Sequence, residues 1–325
     1  MKKIIAINKN KYSVSRGIMK EKILAVLLMS LLIIGSLSSV AAFAAGKNSQ
    51  IPKVANQEIE VLVNARKVKF PDQKPKMENN QVLVPIRFVS DKLGGKLDLK
   101  GKEITIVKGD RTVKLVIGAK TATANGKELT LGIAAKAVNG RTYVPLRFIS
   151  EALGEKVEWD KATRFVWIGS KDIPELSDLI KPVSINPYKK YFKDKEFLMD
   201  LCYGGCKPAT QAYVVTADDL PFAVKGEAYF RFNVFTDHLG TWIRATTTDK
   251  GVMPNGLVYL NPKREAIKAN GSYFDEENQG DFRFMYYYVS SPDDAERKDY
   301  TIQQADYLSI RADYPGYILI ENPLK

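Results

Sequence analysis

The sequence predicts an α+β protein: a duplicated β-β-α-β-type unit followed by a mostly β, sandwich-like C-terminal part. Three observations predict it. An eighteen-residue motif recurs after sixty residues. Each copy holds one short helical period between β-branched stretches. Beyond Tyr191 the pattern changes to short alternating stretches rich in Tyr, and of 16 Tyr only Tyr12 and Tyr143 precede Tyr188. A length of 325 residues suits two domains, and 45% hydrophobic with 26% charged residues excludes disorder throughout. One His and two Cys exclude an all-histidine metal centre and a Cys-rich zinc module.

The chain opens on a targeting pattern. Lys20 and Lys22 precede the apolar run Ile23–Ile34, and Gly35, Ser36, Ser38 and Ser39 lead to the small-x-small site Ala42-Phe43-Ala44. That order describes a secretory signal peptide over 1–44, with Met19 as a candidate true start. An uncleaved anchor is the alternative, since Ile23–Ala45 carries no charge. The first 44 residues hold seven basic groups and one acid, so a net charge of +12 falls to +6 on cleavage. Such a charge attracts anionic polymers weakly, and no basic cluster accompanies it, so nucleic acid is not an expected partner.

The repeat runs from Asn79 to Lys96 and again from Asn139 to Lys156. Val84 and Val144 each end a short strand. Pro85 and Pro145 suit a first helical turn, where the missing N–H costs nothing. Ile86, Val89 and Leu93, like Leu146, Ile149 and Leu153, recur at helical spacing, and Gly94 and Gly154 stop the helices. Two turns of helix are too short to stand alone and must lie on a sheet. The flanking stretches Ile59–Val63, Ile104–Val107, Val113–Ile117 and Phe165–Ile168 read as its strands. Asn79-Asn80 and Asn139-Gly140 are hairpin turns. Arg87 and Arg147 share one repeat position. They are candidates for anion binding, or for structural pairs with Asp91 and Glu151 four residues on.

The pattern V-P-[IL]-R-F-[VI]-S-[DE]-x-L-G, followed by Lys156-Val157-Glu158-Trp159-Asp160, resembles the copper amine oxidase N-terminal-like domain, or stalk domain, over about 57–170. Residues 139–160 match the family pattern almost letter for letter. The first copy departs from it, with Leu99 where Trp is usual. The resemblance implies a spacer or wall-contact module at the front of an exported Gram-positive-type protein. It implies no copper, no quinone and no oxidase chemistry. His238 alone could not ligate copper in any case, so no cofactor is expected.

Residues 171–190 hold Pro174, Pro182 and Pro187 and read as a linker or an extended packed connection before a domain over 191–325. Alternation assigns Phe230, Phe232 and Val234 to one face and Tyr229, Arg231 and Asn233 to the other. Asp281–Val289, Tyr307–Arg311 and Tyr317–Ile320 are further strands, and Ala266–Ala269 or Tyr300–Ala305 brief helices. Trp242, Tyr286, Tyr287 and Tyr288 are the candidate ligand surface, a row of rings that could stack sugars; the alternative is that such residues fill a sandwich core. Cys202-Tyr203-Gly204-Gly205-Cys206 is read as a disulfide between Cys202 and Cys206, with redox-active or metal-binding thiols as alternatives.

Catalytic signals are weak. Asp237-His238 is the one Asp/His adjacency, and no G-x-S-x-G elbow exists. Asp218-Asp219 and Asp275-Glu276-Glu277 read as solvated turns. The segment from Asp275 has Tyr286 at its twelfth position and fails as an EF-hand. The expected protein is therefore non-catalytic, and secreted or non-covalently attached to the cell surface. Its partner is an anionic cell-wall polymer or a carbohydrate, and no stable membrane span remains after signal cleavage. The competing reading is a secreted hydrolase acting on wall or carbohydrate through 191–325.

Overall fold

The computed structural model describes residues 57–193, 195–200, 207–248, 256–263, 266–269, 271–273, 280–312 and 314–325. The expected signal segment, Cys202, Cys206 and residues 274–279 of the acidic loop lie outside the described residues. The fold is mostly β, with several sheets and few helices. No helix among the described residues is long and apolar enough to cross a membrane.

The N-terminal part is closed by its own ends. Strand Glu60–Val63 pairs in parallel with Phe165–Ile168, which is flanked by Val157–Asp160. A second four-stranded sheet centres on Gln81–Pro85 and Arg141–Pro145, antiparallel, with Val84 opposite Val144. The central pair thus joins residues sixty apart in sequence. A five-stranded meander over Lys96–Thr130 completes this part. Each central strand runs into a seven-residue helix, Ile86–Lys92 or Leu146–Ala152. Pro85 and Pro145 close the strands as the residue before each helix, with φ near −60° and extended ψ, one position earlier than a first-turn proline. Gly94 and Gly154 follow with φ of +71° and +91°, which a Cβ disfavours. The hairpin turns have both central residues left-handed, Asn79 and Asn80 in one and Asn139 and Gly140 in the other. Ile86, Val89, Leu146 and Ile149 point into a core shared with Val61, Val63, Val166 and Ile168.

The C-terminal part is two facing sheets. One has six strands, with Gln211–Val215, Tyr317–Glu321, Tyr307–Arg311 and Gly256–Leu260 at its centre. The other has five, ordered Phe222–Val224, Glu227–Thr236, Thr241–Thr247, Arg283–Ser290 and Gly271–Tyr273. Between them lie Tyr213, Tyr259 and Ile310 from the first sheet and Tyr229, Ile243 and Met285 from the second. This is the interior of a sandwich, where inward residues alternate with outward ones. The far side of the six-stranded sheet is covered by Ile185, Tyr191, Phe192 and Leu198, drawn from the connecting segment and two 3-10 turns. Leu176, in the same connection, is fully buried in the sandwich core.

Two local expectations are corrected. Of the two places expected to hold a brief helix, residues 267–269 form instead a strand paired with Gly256–Leu260, while Tyr300–Ala305 does hold a short 3-10 helix at Ile302–Gln304. In Glu227–Thr236 the register shifts between Tyr229 and Arg231. A bulge puts two residues opposite one and breaks strict alternation. Tyr229 therefore joins Phe232 and Val234 in the sandwich core, while Phe230 faces the other way.

That reversal joins the two parts. Phe230 meets Leu62, Phe165, Trp167 and Phe282 in a separate buried cluster. Ring centroids lie 5.7 Å apart for Phe165–Phe230 and 5.2 Å for Phe230–Phe282, in tilted and edge contacts. Phe165 and Trp167 face the sandwich, and Val166 and Ile168 face the N-terminal core. The strand is apolar at every position because both faces are covered. Replacing Phe230 by Ala should cost about 3–5 kcal/mol, read from urea unfolding. A loss under about 1 kcal/mol would mean the joint is not close-packed.

Candidate functional site

A groove of about 470 Å³ opens in the N-terminal part. That volume is in the range of small-ligand sites. The hairpin around Asn80 and Gln81 forms one wall. The second helix supplies Leu146, Arg147, Phe148 and Glu151, and Val157, Trp159 and Val166 form the sheet side. Thr130, Leu131 and Gly132 close the end. Trp159 sits on an edge strand opposite Val166, so its ring is half-buried against the core and half-open to the groove. Arg147 and Glu151, one helical turn apart, approach to 3.9 Å and both stay largely exposed. Such a loose surface pair contributes little stability, so its polar ends are available to a ligand. The corresponding Arg87 is exposed and makes no ion pair with Asp91 among the described residues, contrary to the pairing expected there.

The groove lies at the second copy of the motif, and the corresponding ring of the first copy has different neighbours. There Phe88, half-buried like Phe148, is met edge-on by Phe70 at 5.8 Å, and the Arg141 guanidinium lies 5.7 Å from its ring centre. Arg141 is held there by Asp72, whose Oδ2 accepts a hydrogen bond from Nε at 2.7 Å. At the second copy the residue at the position of Arg141 is Gln81, and the counterpart of Phe88 is Phe148. The Gln81 amide leans against Gly132, where a Cβ would lie 2.0 Å from Nε2. Phe148 is thus left lining the groove. Trp159 stands where the first copy has Leu99. Sequence reasoning placed Arg147 and Trp159 in the motif as structural residues. It missed Phe148, Gln81 and Gly132. The readable signal was the difference between the copies at 81/141 and 99/159.

The other candidates are placed as follows. Tyr286 and Tyr287 are buried, which corrects the expectation of an exposed row. Successive strand residues face opposite ways, so Tyr287 enters the sandwich core while Tyr286 packs on the outer face against Phe235. Trp242 and Tyr288 remain half-exposed, but their rings meet edge to face at 70° and 5.4 Å. Their polar ends are engaged as well. Trp242 Nε1 donates to Asp237 Oδ1 at 3.1 Å, and the Tyr288 hydroxyl donates to Asp294 Oδ2 at 3.0 Å. Two perpendicular, tethered rings do not make a flat stacking platform.

Asp237 Oδ1 also accepts the backbone N–H groups of Leu239 and Gly240, and His238 is exposed. The carboxylate shapes a turn and does not orient the imidazole. Asp219 caps Thr216, and Asp218 pairs with Lys69. Among the described residues no group of three His, Cys, Asp or Glu could hold a metal ion. With His238 the only histidine of the chain, the donors do not fit a copper centre.

The hydrogen bond from Arg141 holds the Asp72 carboxyl below its ordinary 3.8. A depressed carboxyl contributes stability above the ordinary range and loses it as pH falls through the folded value. In a carboxyl NMR titration Asp72 should titrate below 3.8, and Arg141→Gln should return it toward the ordinary value. Gly132→Ala should cost about 0.5 kcal/mol or less in a thermal melt, because the atom in its way is the free end of the Gln81 side chain.

Among curated proteins nothing matches this chain. The match that is found covers a third of the chain and leaves the sandwich outside it. Residues 62–168, the segment that carries the groove, match the family model of the Copper amine oxidase N-terminal domain.

Proposed function

We propose that the chain is an exported, non-catalytic protein of the cell envelope. In this reading its N-terminal stalk part, a duplicated β-β-α-β arrangement, is a wall-contact module, and the sandwich is the part it presents. The observation that carries the reading is the groove at the second copy of the motif, where Phe148, Trp159 and Arg147 line a volume of about 470 Å³. At the first copy Arg141, held by Asp72, lies over the matching Phe88 ring instead. The basic excess of the chain supports attraction to an anionic wall in the same sense.

The test is co-sedimentation of the chain lacking residues 1–44 with purified cell-wall sacculi, prepared with and without wall teichoic acid. Expected is binding to both preparations, weakened several-fold by Trp159→Ala, with no sugar or peptide released into the supernatant. Release of soluble fragments would overturn the non-catalytic reading in favour of a wall hydrolase. Equal binding by Trp159→Ala would remove the groove from the interaction.

A further inference from the structure

We infer that the groove beside Trp159 binds a glycan of N-acetylated hexosamine residues, with a pyranose ring on the indole and an acetamido group at the amide wall. The inference rests on the binding role proposed above and names its ligand. The lining selects the chemistry in three ways. An aromatic face that is half-buried, and so fixed in orientation, offers an apolar surface to the C–H face of a sugar ring, while its edges stay wet for the hydroxyls. Asn80 and Gln81 add two carboxamides to the lining, which form the amide wall. A carboxamide both donates and accepts, so it matches the N–H and C=O of an acetamido group. Met77 and Val157, both lining residues with accessible surface, provide apolar area for the acetyl methyl.

The same lining disfavours a phosphate polymer. Arg147 is the one cation among the fifteen lining residues, and Glu151 stands 3.9 Å from it. A site for a polyanion would gather several Lys or Arg without a carboxylate among them. The rim is instead nearly neutral, which suits an uncharged sugar whose hydroxyls use the Arg147 donors and the Glu151 acceptors.

The first copy supplies a blocking variant. Arg141 shows that this fold accepts an arginine at the position Gln81 occupies, with its guanidinium over the neighbouring phenyl ring and held by Asp72, whose counterpart at the second copy is Gly132. Gln81→Arg, made together with Gly132→Asp to supply that acid, should place a guanidinium over Phe148 and fill the groove while leaving the fold intact. Trp159→Ala removes the ring and opens the site further. The two variants act in opposite steric directions but share one expected outcome, which separates a site from general destabilisation.

The experiment is isothermal titration of the same protein with the tetramer of N-acetylglucosamine, its de-N-acetylated form, a glycerol-phosphate oligomer and a short wall-type peptide. Expected is binding of the acetylated tetramer, with roughly tenfold or greater loss in each variant, the scale of one aromatic contact with its buried area. An unchanged melting temperature for the Gln81→Arg, Gly132→Asp variant would confirm that the loss is local. The inference is overturned if the acetylated tetramer does not bind, if it binds equally to both variants, or if the phosphate oligomer or the peptide is preferred. Sacculus binding that depends on Trp159 without tetramer binding would leave the envelope role standing and remove only this ligand. Tetramer binding without sacculus binding would keep the ligand and remove the envelope role.

Discussion

Four residues, Phe165 to Ile168, form a wall shared by two hydrophobic cores, and the arrangement of the rest depends on them. Val166 and Ile168 complete the N-terminal core beneath the two short helices. Phe165 and Trp167 complete the cluster against the five-stranded sheet of the sandwich. Each fully buried aromatic of this kind contributes about 1.5–3 kcal/mol as an upper estimate. Glu60–Val63 can reach this strand in parallel register only because the chain from 64 to 164 folds back on itself. The first and last strands of the N-terminal part thus meet where the sandwich docks.

Polar contacts fix the orientation of that joint. The Arg231 side chain is almost wholly buried, with its guanidinium 4.6 Å from the centre of the Phe165 ring. It donates to the carbonyls of Glu58 and Thr163 and lies 3.5 Å from Glu60 Oε1. Burial pulls its pKa below the ordinary arginine value, and Glu60 opposes that shift. A cation in this setting is tolerable only with its partners in place. Arg244 acts alongside by donating to Gln57 Oε1 at 3.0 Å, and Arg66 donates to the carbonyls of Asp219 and Pro221 from the opposite side. Both parts supply donors or acceptors, so the interface is specified by geometry as well as by apolar area.

The groove follows from unequal use of one motif. A short helix laid on a sheet leaves a phenylalanine at its outer edge, Phe88 in one copy and Phe148 in the other. What meets that ring is decided by the facing hairpin. Arg141 is long enough to lie over it and finds Asp72 to hold it there, whereas Gln81 is shorter and turns to Gly132. The positions 81/141 and 72/132 thus change what borders the ring without changing the scaffold. Binding sites can arise this way, because the backbone is already stable and one edge can vary.

Much of this was legible in the residues themselves. The sixty-residue recurrence, the helices after Pro85 and Pro145, their stops at Gly94 and Gly154, and the strands Glu60–Val63 and Phe165–Ile168 follow from local rules of period, ring constraint and positive φ. Those rules act within a few residues, so they survive without knowledge of the fold. The face assignment in Glu227–Thr236 was not legible, because the bulge at Tyr229 that turns Phe230 toward Phe165 has no local signature. The burial of Tyr286 was not legible either, since alternation tells which residues share a face but not what covers it. Trp159 and Arg147 were visible as motif residues; that they border a groove was decided by Gln81 and Gly132, which reach their positions only when strands distant in sequence pair. Sequence by itself determined the elements and the recurrence of the motif, because those depend on neighbours along the chain. Tertiary structure alone decided which side chains gather around the groove, because that depends on neighbours in space.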